Sequence, residues 1–210
     1  MYSPQITDAN KKYGNNRWLA YSPKLGRTVF LFSDLEYEHW LQIEFNSKIK
    51  KFCEQPLKIE VTYNKTQATS IFDMWIQYYD DSEEFIEIKY SADLSKDRVI
   101  KQINIQKAWC KDNNKNHKVM TELEIRQSPV KMSNLKIMIK KLNTNLDKPT
   151  QIDLLKQLLL KGRSTIADLA NNAQIPLEDT LTIVIYLIYT NEINSNYLDK
   201  PFGKYTEVWI

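Results

Sequence analysis

Glycine, histidine and cysteine are scarce in this 210-residue chain. Its four glycines, Gly14, Gly26, Gly162 and Gly203, are so dispersed that no two lie within ten residues of each other. A phosphate cradle needs two or three close together so that the backbone can approach the anion. P-loop and Rossmann dinucleotide sites are thereby excluded. The two histidines, His39 and His117, and the two cysteines, Cys53 and Cys110, are far apart, whereas a structural zinc site draws about four N/S ligands in close pairs. Zinc fingers and ribbons are excluded, and the cysteines fit burial as small apolar side chains in a reducing cytosol. Long apolar runs are also missing. With a mean hydropathy of −0.51 and no apolar stretch of about 20 residues, the sequence predicts no membrane span. Its opening segment lacks the apolar run of a secretion signal. Neither sign of charge dominates, since 29 Lys+Arg against 26 Asp+Glu leave a net charge of +3.

What is present divides in two. Up to residue 146, short β-like runs mix with helical segments; from Pro149 the chain reads as three helices and a hairpin. The polar stretch Asn143-Thr-Asn-Leu-Asp-Lys148 is closed by Pro149, which disfavours helix at Lys148. The expected domains are therefore 1–146 and 147–210.

In the first part Arg27–Phe32 reads as a strand, and Ser33 and Glu36 have the capping-box spacing for a helix running to Asn46. Leu57–Tyr63 alternates with period two. A polar turn over Asn64–Gln67 leads to a strand over Ser70–Tyr79. The turn Asp80–Glu83 predicts that this strand pairs with Glu84–Tyr90 as a hairpin. Lys96–Asp112 has a helical pattern, His117–Thr121 makes a further strand, and Ser133 caps a helix to Leu142. This order predicts an α/β fold with a mixed sheet flanked by helices.

Charges set into apolar strands are the chemical signal. Asp73 lies among Ile71, Phe72, Met74 and Trp75, and Glu87 and Lys89 lie among Phe85, Ile86, Ile88 and Tyr90. Because strand side chains alternate, Glu87 and Lys89 share one face. Pairing with Asp73 would gather two carboxylates and an ammonium there. Magnesium takes a few carboxylates, a carbonyl and waters, and it acidifies an attacking water while neutralising a phosphodiester. Lys89 would position or deprotonate that water, or stabilise the transition state. Taken alone, the same residues equally describe a cross-strand ion pair on a solvated face, the commoner arrangement. Glu36 is likewise accounted for by its capping box.

The wider pattern adds to this. The ordered set Ser22-Pro-Lys-Leu-Gly26, Ser33-Asp-Leu-Glu36, Glu54-Gln-Pro56, Phe72-Asp73, Glu87-Ile-Lys89 and Val119-Met-Thr-Glu122 resembles the TnsA family, the endonuclease subunit of a heteromeric bacterial transposase. The resemblance implies a restriction-endonuclease-like catalytic domain followed by a small winged-helix domain. It also implies Glu36, Asp73 and Glu87 as ligands of Mg²⁺, replaceable by Mn²⁺, or as their close support, with Lys89 as the catalytic lysine. The family's usual Pro-Asp is Phe72-Asp73 here, a change that bears on strand geometry. Such a protein works in the bacterial cytoplasm. It cuts the 5′ strand at transposon ends in double-stranded DNA, while a partner transposase cuts and joins the 3′ strand under an ATP-dependent regulator. A standalone restriction-like or repair nuclease, or a non-enzymatic regulator with a winged helix, are the alternatives.

Charge bears on where DNA would sit. Residues 147–210 hold six basic and eight acidic residues, net −2, leaving +5 on the remainder. DNA affinity depends on Lys and Arg against phosphates, so the first domain is the expected DNA surface. Lys48, Lys50, Lys51 and Lys101 are candidate contacts, with Lys96, Arg98, Lys107 and Lys111 beside them. Gln102 or Lys101 would reach the site from the later helix. In the second domain, caps at Thr150 and Ser164 and a start at Pro176 predict three helices, followed by strands at 192–197 and 205–210. The third helix begins with Glu178 and Asp179, which would repel phosphate, so this domain is expected to dock protein partners.

Overall fold

The computed structural model describes residues 2–5, 16–63 and 66–210, which form two compact units dividing between Gln127 and Ser128. In the first, β1 (Trp18–Ser22) and β2 (Arg27–Leu31) pair antiparallel. Their turn includes Gly26 in the left-handed region, φ 65°, where a side chain would be strained. Helix α1 (Asp34–Glu44) follows, capped as expected by Ser33, whose hydroxyl accepts from the Glu36 N–H at 3.1 Å. The return half of the box differs: the Glu36 carboxylate accepts from the Phe32 N–H at 3.0 Å rather than from that of Ser33. Nine of the eleven α1 residues are buried, Glu36, Glu38, His39 and Glu44 among them. Its buried acids are answered one by one: Glu38 by Arg126 at 2.6 Å, Glu44 by the Ser22 hydroxyl at 2.7 Å and the Lys24 N–H at 2.8 Å.

Strands β3 (Ile49–Glu54), β4 (Lys58–Tyr63), β5 (Thr66–Ile71), β6 (Met74–Tyr78) and β7 (Glu83–Ile88) come next. After a single 3₁₀ turn at Ser91–Asp93, α2 (Asp97–Asp112), β8 (Asn116–Met120) and α3 (Glu122–Ile125) complete the unit. The main sheet has the order β3-β6-β7-β8, with β8 parallel to β7 and the other pairs antiparallel. It is the expected mixed sheet, and β6–β7 is the expected hairpin. The strand expected over Ser70–Tyr79 is instead broken at Phe72-Asp73, because β5 belongs to a separate two-stranded ribbon with β4. The buried Phe72 marks the crossing, packing on Phe85 at 4.8 Å and on Trp109 at 5.7 Å. Of the turn expected before β5, Asn64 and Lys65 lie outside the described residues.

The second unit comprises α4 (Pro129–Lys141), α5 (Pro149–Leu159), β9 (Ser164–Thr165), α6 (Ile166–Ala173), α7 (Leu177–Tyr189), β10 (Asn194–Ser195) and β11 (Glu207–Trp209). The division expected at 146 thus shifts to 127/128, because α4 packs on α7 and belongs here. Its cap is Ser128, with Pro129 at the first helical position, and Ser133 lies inside the helix. Proline's fixed φ suits a first turn. The same holds at Pro149, which puts Lys148 rather than Thr150 at the N-cap of α5. Thr165, not Ser164, caps α6, its hydroxyl accepting from the Asp168 N–H at 3.1 Å. Leu155, Leu159, Ile166, Leu169, Ile183, Val184 and Val208 form the core. The three short strands make one sheet, order β10-β11-β9, where a simple hairpin was expected. Among the described residues no helix is long and apolar enough to cross a membrane.

Candidate active site

The β6–β7 register sets Met74 opposite Ile86, so Asp73 stands across from Glu87 at the end of the hairpin. The Asp73 N–H donates to the Ile86 carbonyl at 3.1 Å, and its Oδ2 accepts from the Ile88 N–H at 2.8 Å and lies 3.8 Å from the Lys89 Nζ. Glu36, in the first turn of α1, lines a cavity of about 300 Å³ together with Asp73, Lys89, Asp93, Lys96 and Gln102. The three predicted catalytic residues, Glu36, Asp73 and Lys89, therefore share one solvent-accessible hollow.

Gln55 ties two of them together. Its backbone N–H donates to the Asp73 carbonyl at 3.0 Å, and its side-chain Nε2 reaches Glu36 Oε2 at 3.4 Å. It is buried with φ 39°, a left-handed conformation that a non-glycine residue adopts only when its surroundings enforce it. Next to it the buried Glu54 is clamped by both Arg27 guanidinium nitrogens at 2.6 and 2.7 Å. The Glu54-Gln55-Pro56 element thus braces the site from behind.

Glu87 is not offered to the cavity. It is fully buried, its Oε1 accepting from Gln102 at 2.7 Å and from Lys89, its Oε2 from Gln106 at 2.6 Å. Gln106 continues inward to the Ser70 hydroxyl at 3.0 Å and to His117 Nε2 at 3.0 Å. The strand alternation that puts Glu87 on the Lys89 face is as expected, but α2 covers that face. Its glutamines at i and i+4 meet the carboxylate one turn apart. Sequence pattern marked Gln102 as a candidate and gave no sign of Gln106, since nothing local to a helix says which strand it will cover.

Charge follows from this packing. Burial raises the Glu87 carboxyl above its usual range and the Asp73 charge adds to the rise, with Lys89 and Gln106 opposing. Burial works to lower the Lys89 ammonium, but Asp73 and Glu87 outweigh it and leave its pKa raised. Lys89 is accordingly a cation at neutral pH.

As a metal site, Glu36 and Asp73 suit a hard ion. Each carboxylate oxygen can accept more than one bond, and both residues line the hollow. Among the described residues no three His, Cys, Asp or Glu side chains gather closely enough to hold an ion together. The ligand trio of Glu36, Asp73 and Glu87 is therefore not assembled as such: Glu87 supports Lys89 from behind. Two carboxylates plus retained waters match the coordination magnesium favours.

The basic candidates separate. Lys101 lies near the site, lining a neighbouring cavity with Asp73, Lys89 and Arg98. Lys48, Lys50 and Lys51 do not. Lys51 pairs with Gln77, while Glu54 pairs with Met74 beside Asp73, and at about 3.3 Å per residue the strand carries these lysines to the far end of the sheet. Lys50 is engaged there by Asp81 at 2.9 Å.

Comparison with known families adds one finding. Residues 46–122 match the TnsA-like endonuclease N-terminal domain. The match runs from just before β3 to the first residue of α3 and includes Asp73, Glu87 and Lys89; Glu36 precedes it. The first unit thus contains a stretch similar to a TnsA-like endonuclease N-terminal domain. No curated protein matches the chain.

Proposed function

We propose that the protein is a magnesium-dependent DNA endonuclease subunit of a transposase, cutting the 5′ strand at transposon ends beside a partner that handles the 3′ strand. The observation that carries this reading is the meeting of Glu36, Asp73 and Lys89 at one hollow, the last two within the stretch that matches a TnsA-like endonuclease N-terminal domain. A magnesium ion, or manganese in its place, would supply an acidified water and offset charge on the scissile phosphate. Glu36 and Asp73 would hold it. Lys89, kept protonated by Asp73 and Glu87, donates hydrogen bonds to the phosphate oxygens as charge develops on them. This supports an electrostatic role for it over that of a general base. Gln102 and Gln106 keep Glu87, and through it Lys89, in register.

The second unit is proposed as a winged-helix-like domain that docks partner subunits. Its element order α5-β9-α6-α7-β10-β11 supports this. Helix α7 has no Lys, Arg, Asn or Gln between Thr180 and Tyr189, the side chains that read base edges in a DNA groove. Its leading acids are paired as well, Glu178 with Lys141 at 2.7 Å and Asp179 with Lys148 at 2.9 Å. The loop before β11 is tied to α4 by Asn134, which donates to the Tyr197 and Lys200 carbonyls at 2.6 and 2.8 Å and accepts from the Phe202 N–H at 2.8 Å.

The deciding experiment is transposon-end cleavage by the reconstituted complex with wild-type protein and with Asp73→Ala. The variant is expected to lose the 5′-strand cut and leave the partner's 3′-strand chemistry intact. Retained 5′ cutting would overturn the assignment.

A further inference from the structure

Asp73, Lys89, Arg98 and Gln102 line two cavities at once, and the two differ in charge. The smaller, described above, adds the carboxylates of Glu36 and Asp93 and only one further cation, Lys96, which Asp93 already pairs. The larger, about 570 Å³, adds Lys58 and Lys101 and no further acid. The smaller cavity is thus balanced, three acids against three bases, whereas the larger sets four bases against one acid and is furnished for anions.

The shape agrees with the charge. The β4–β5 ribbon forms one wall through Gln67, Thr69 and Ile71, and α2 forms the other through Arg98, Lys101 and Ile105. The rim residues Gln67, Thr69, Arg98 and Lys101 are exposed, while the floor at Ser70 and Ile105 is buried. The volume falls in the range of ligand-holding clefts, about 300 to 1,000 Å³. Among the described residues Lys58 pairs with Glu60 at 3.5 Å, both exposed, a contact too weak to keep it from a phosphate.

We propose that this larger cavity is a subsite for the DNA backbone next to the cleaved bond, with Lys58 and Lys101 holding flanking phosphates between the β4–β5 ribbon and α2. The assignment rests on the nuclease reading above. It adds the course of the strand, which leaves the metal-holding hollow past Asp73 and Lys89 and runs along α2. Lys48, Lys50 and Lys51 then play no part.

The test compares two double variants that remove equal charge, Lys58→Ala/Lys101→Ala and Lys48→Ala/Lys51→Ala, in the full chain. Binding of a short DNA duplex is followed by fluorescence anisotropy in calcium, between about 50 and 200 mM salt. Each phosphate contact contributes about 0.9 to the slope of log affinity against log salt. The Lys58/Lys101 variant should therefore lose about 1.8 of that slope and bind several-fold more weakly, while the Lys48/Lys51 variant keeps the wild-type slope. Equal losses in both, or a loss only in the second, would overturn the subsite while leaving the nuclease reading standing. Wild-type protein without salt-dependent DNA binding would instead remove the reading on which it rests.

Discussion

Replacing Gln106 by leucine tests whether the inner network holds the site together. Gln106 is fully buried, and its amide gives one hydrogen bond to the Glu87 carboxylate at 2.6 Å and another to Ser70, while its carbonyl meets His117. Leucine fills nearly the same space without any of these bonds. A hydrogen bond to a charged group is worth about 1.5–3 kcal/mol, and an unpaired buried polar group costs about 1–3. With His117 only half-buried, the expected loss is about 3 kcal/mol of a domain stability of about 5–15, large enough to measure without abolishing the fold. Urea unfolding followed by tryptophan fluorescence reports it, since Trp109 packs on Phe72 and Phe85 within this core. Repeating the substitution in a Glu87→Gln background separates charge from packing. Above about pH 8, where the raised Glu87 carboxyl is ionised, the cost there should drop by about 1.5 kcal/mol, because the bond that is lost no longer involves an ion. A cost under about 1 kcal/mol, or the same cost in both backgrounds, would refute the view that Gln106 satisfies Glu87.

Two further outcomes follow from buried polar groups. His39 is buried and its imidazole is pushed down to about 4, chiefly by burial and secondly by Lys118. The unfolded chain takes up this proton below about pH 6.5 and the folded protein does not until about 4, so the stability from neutral His39 is present above 6.5 and is lost as the pH falls. Between pH 7 and 5 wild type should lose about 2 kcal/mol relative to His39→Gln in paired urea titrations; parallel curves would contradict it. Asn134→Ala removes three hydrogen bonds from the 197–202 loop and should cost about 2–3 kcal/mol. Faster hydrogen exchange at the Phe202 amide is the accompanying sign, and an unchanged rate would show that the loop is held by other means.

The β6–β7 hairpin was legible because alternation and an acidic turn are local properties, and so was α2 from its spacing. The strand β3 was hidden by Lys50 and Lys51, which interrupt its apolar pattern and invite a reading as surface charge. Caps were legible in kind and displaced in place. Ser164 and Thr165 are both suitable, and only the backbone decides which hydroxyl meets the Asp168 N–H. Of the candidate site, residue pattern alone describes Glu36 as a cap and Asp73 and Lys89 as an ion pair; it is the resemblance that singles them out, and the fold brings all three to one hollow. The turning of Glu87 toward Gln102 and Gln106 was not legible, because it depends on which helix covers that face of the sheet.

The division between Gln127 and Ser128 governs how the protein can be taken apart. A fragment beginning at residue 147, as composition suggests, leaves behind α4. It thereby uncovers a side of the apolar α7 and unties the loop that Asn134 holds. Such a piece would stick to many surfaces, and its binding would say little about the natural partner. A fragment that starts at Ser128 keeps its own cap and its own clasp. It keeps the whole of the second unit, and with it the helix that covers α7.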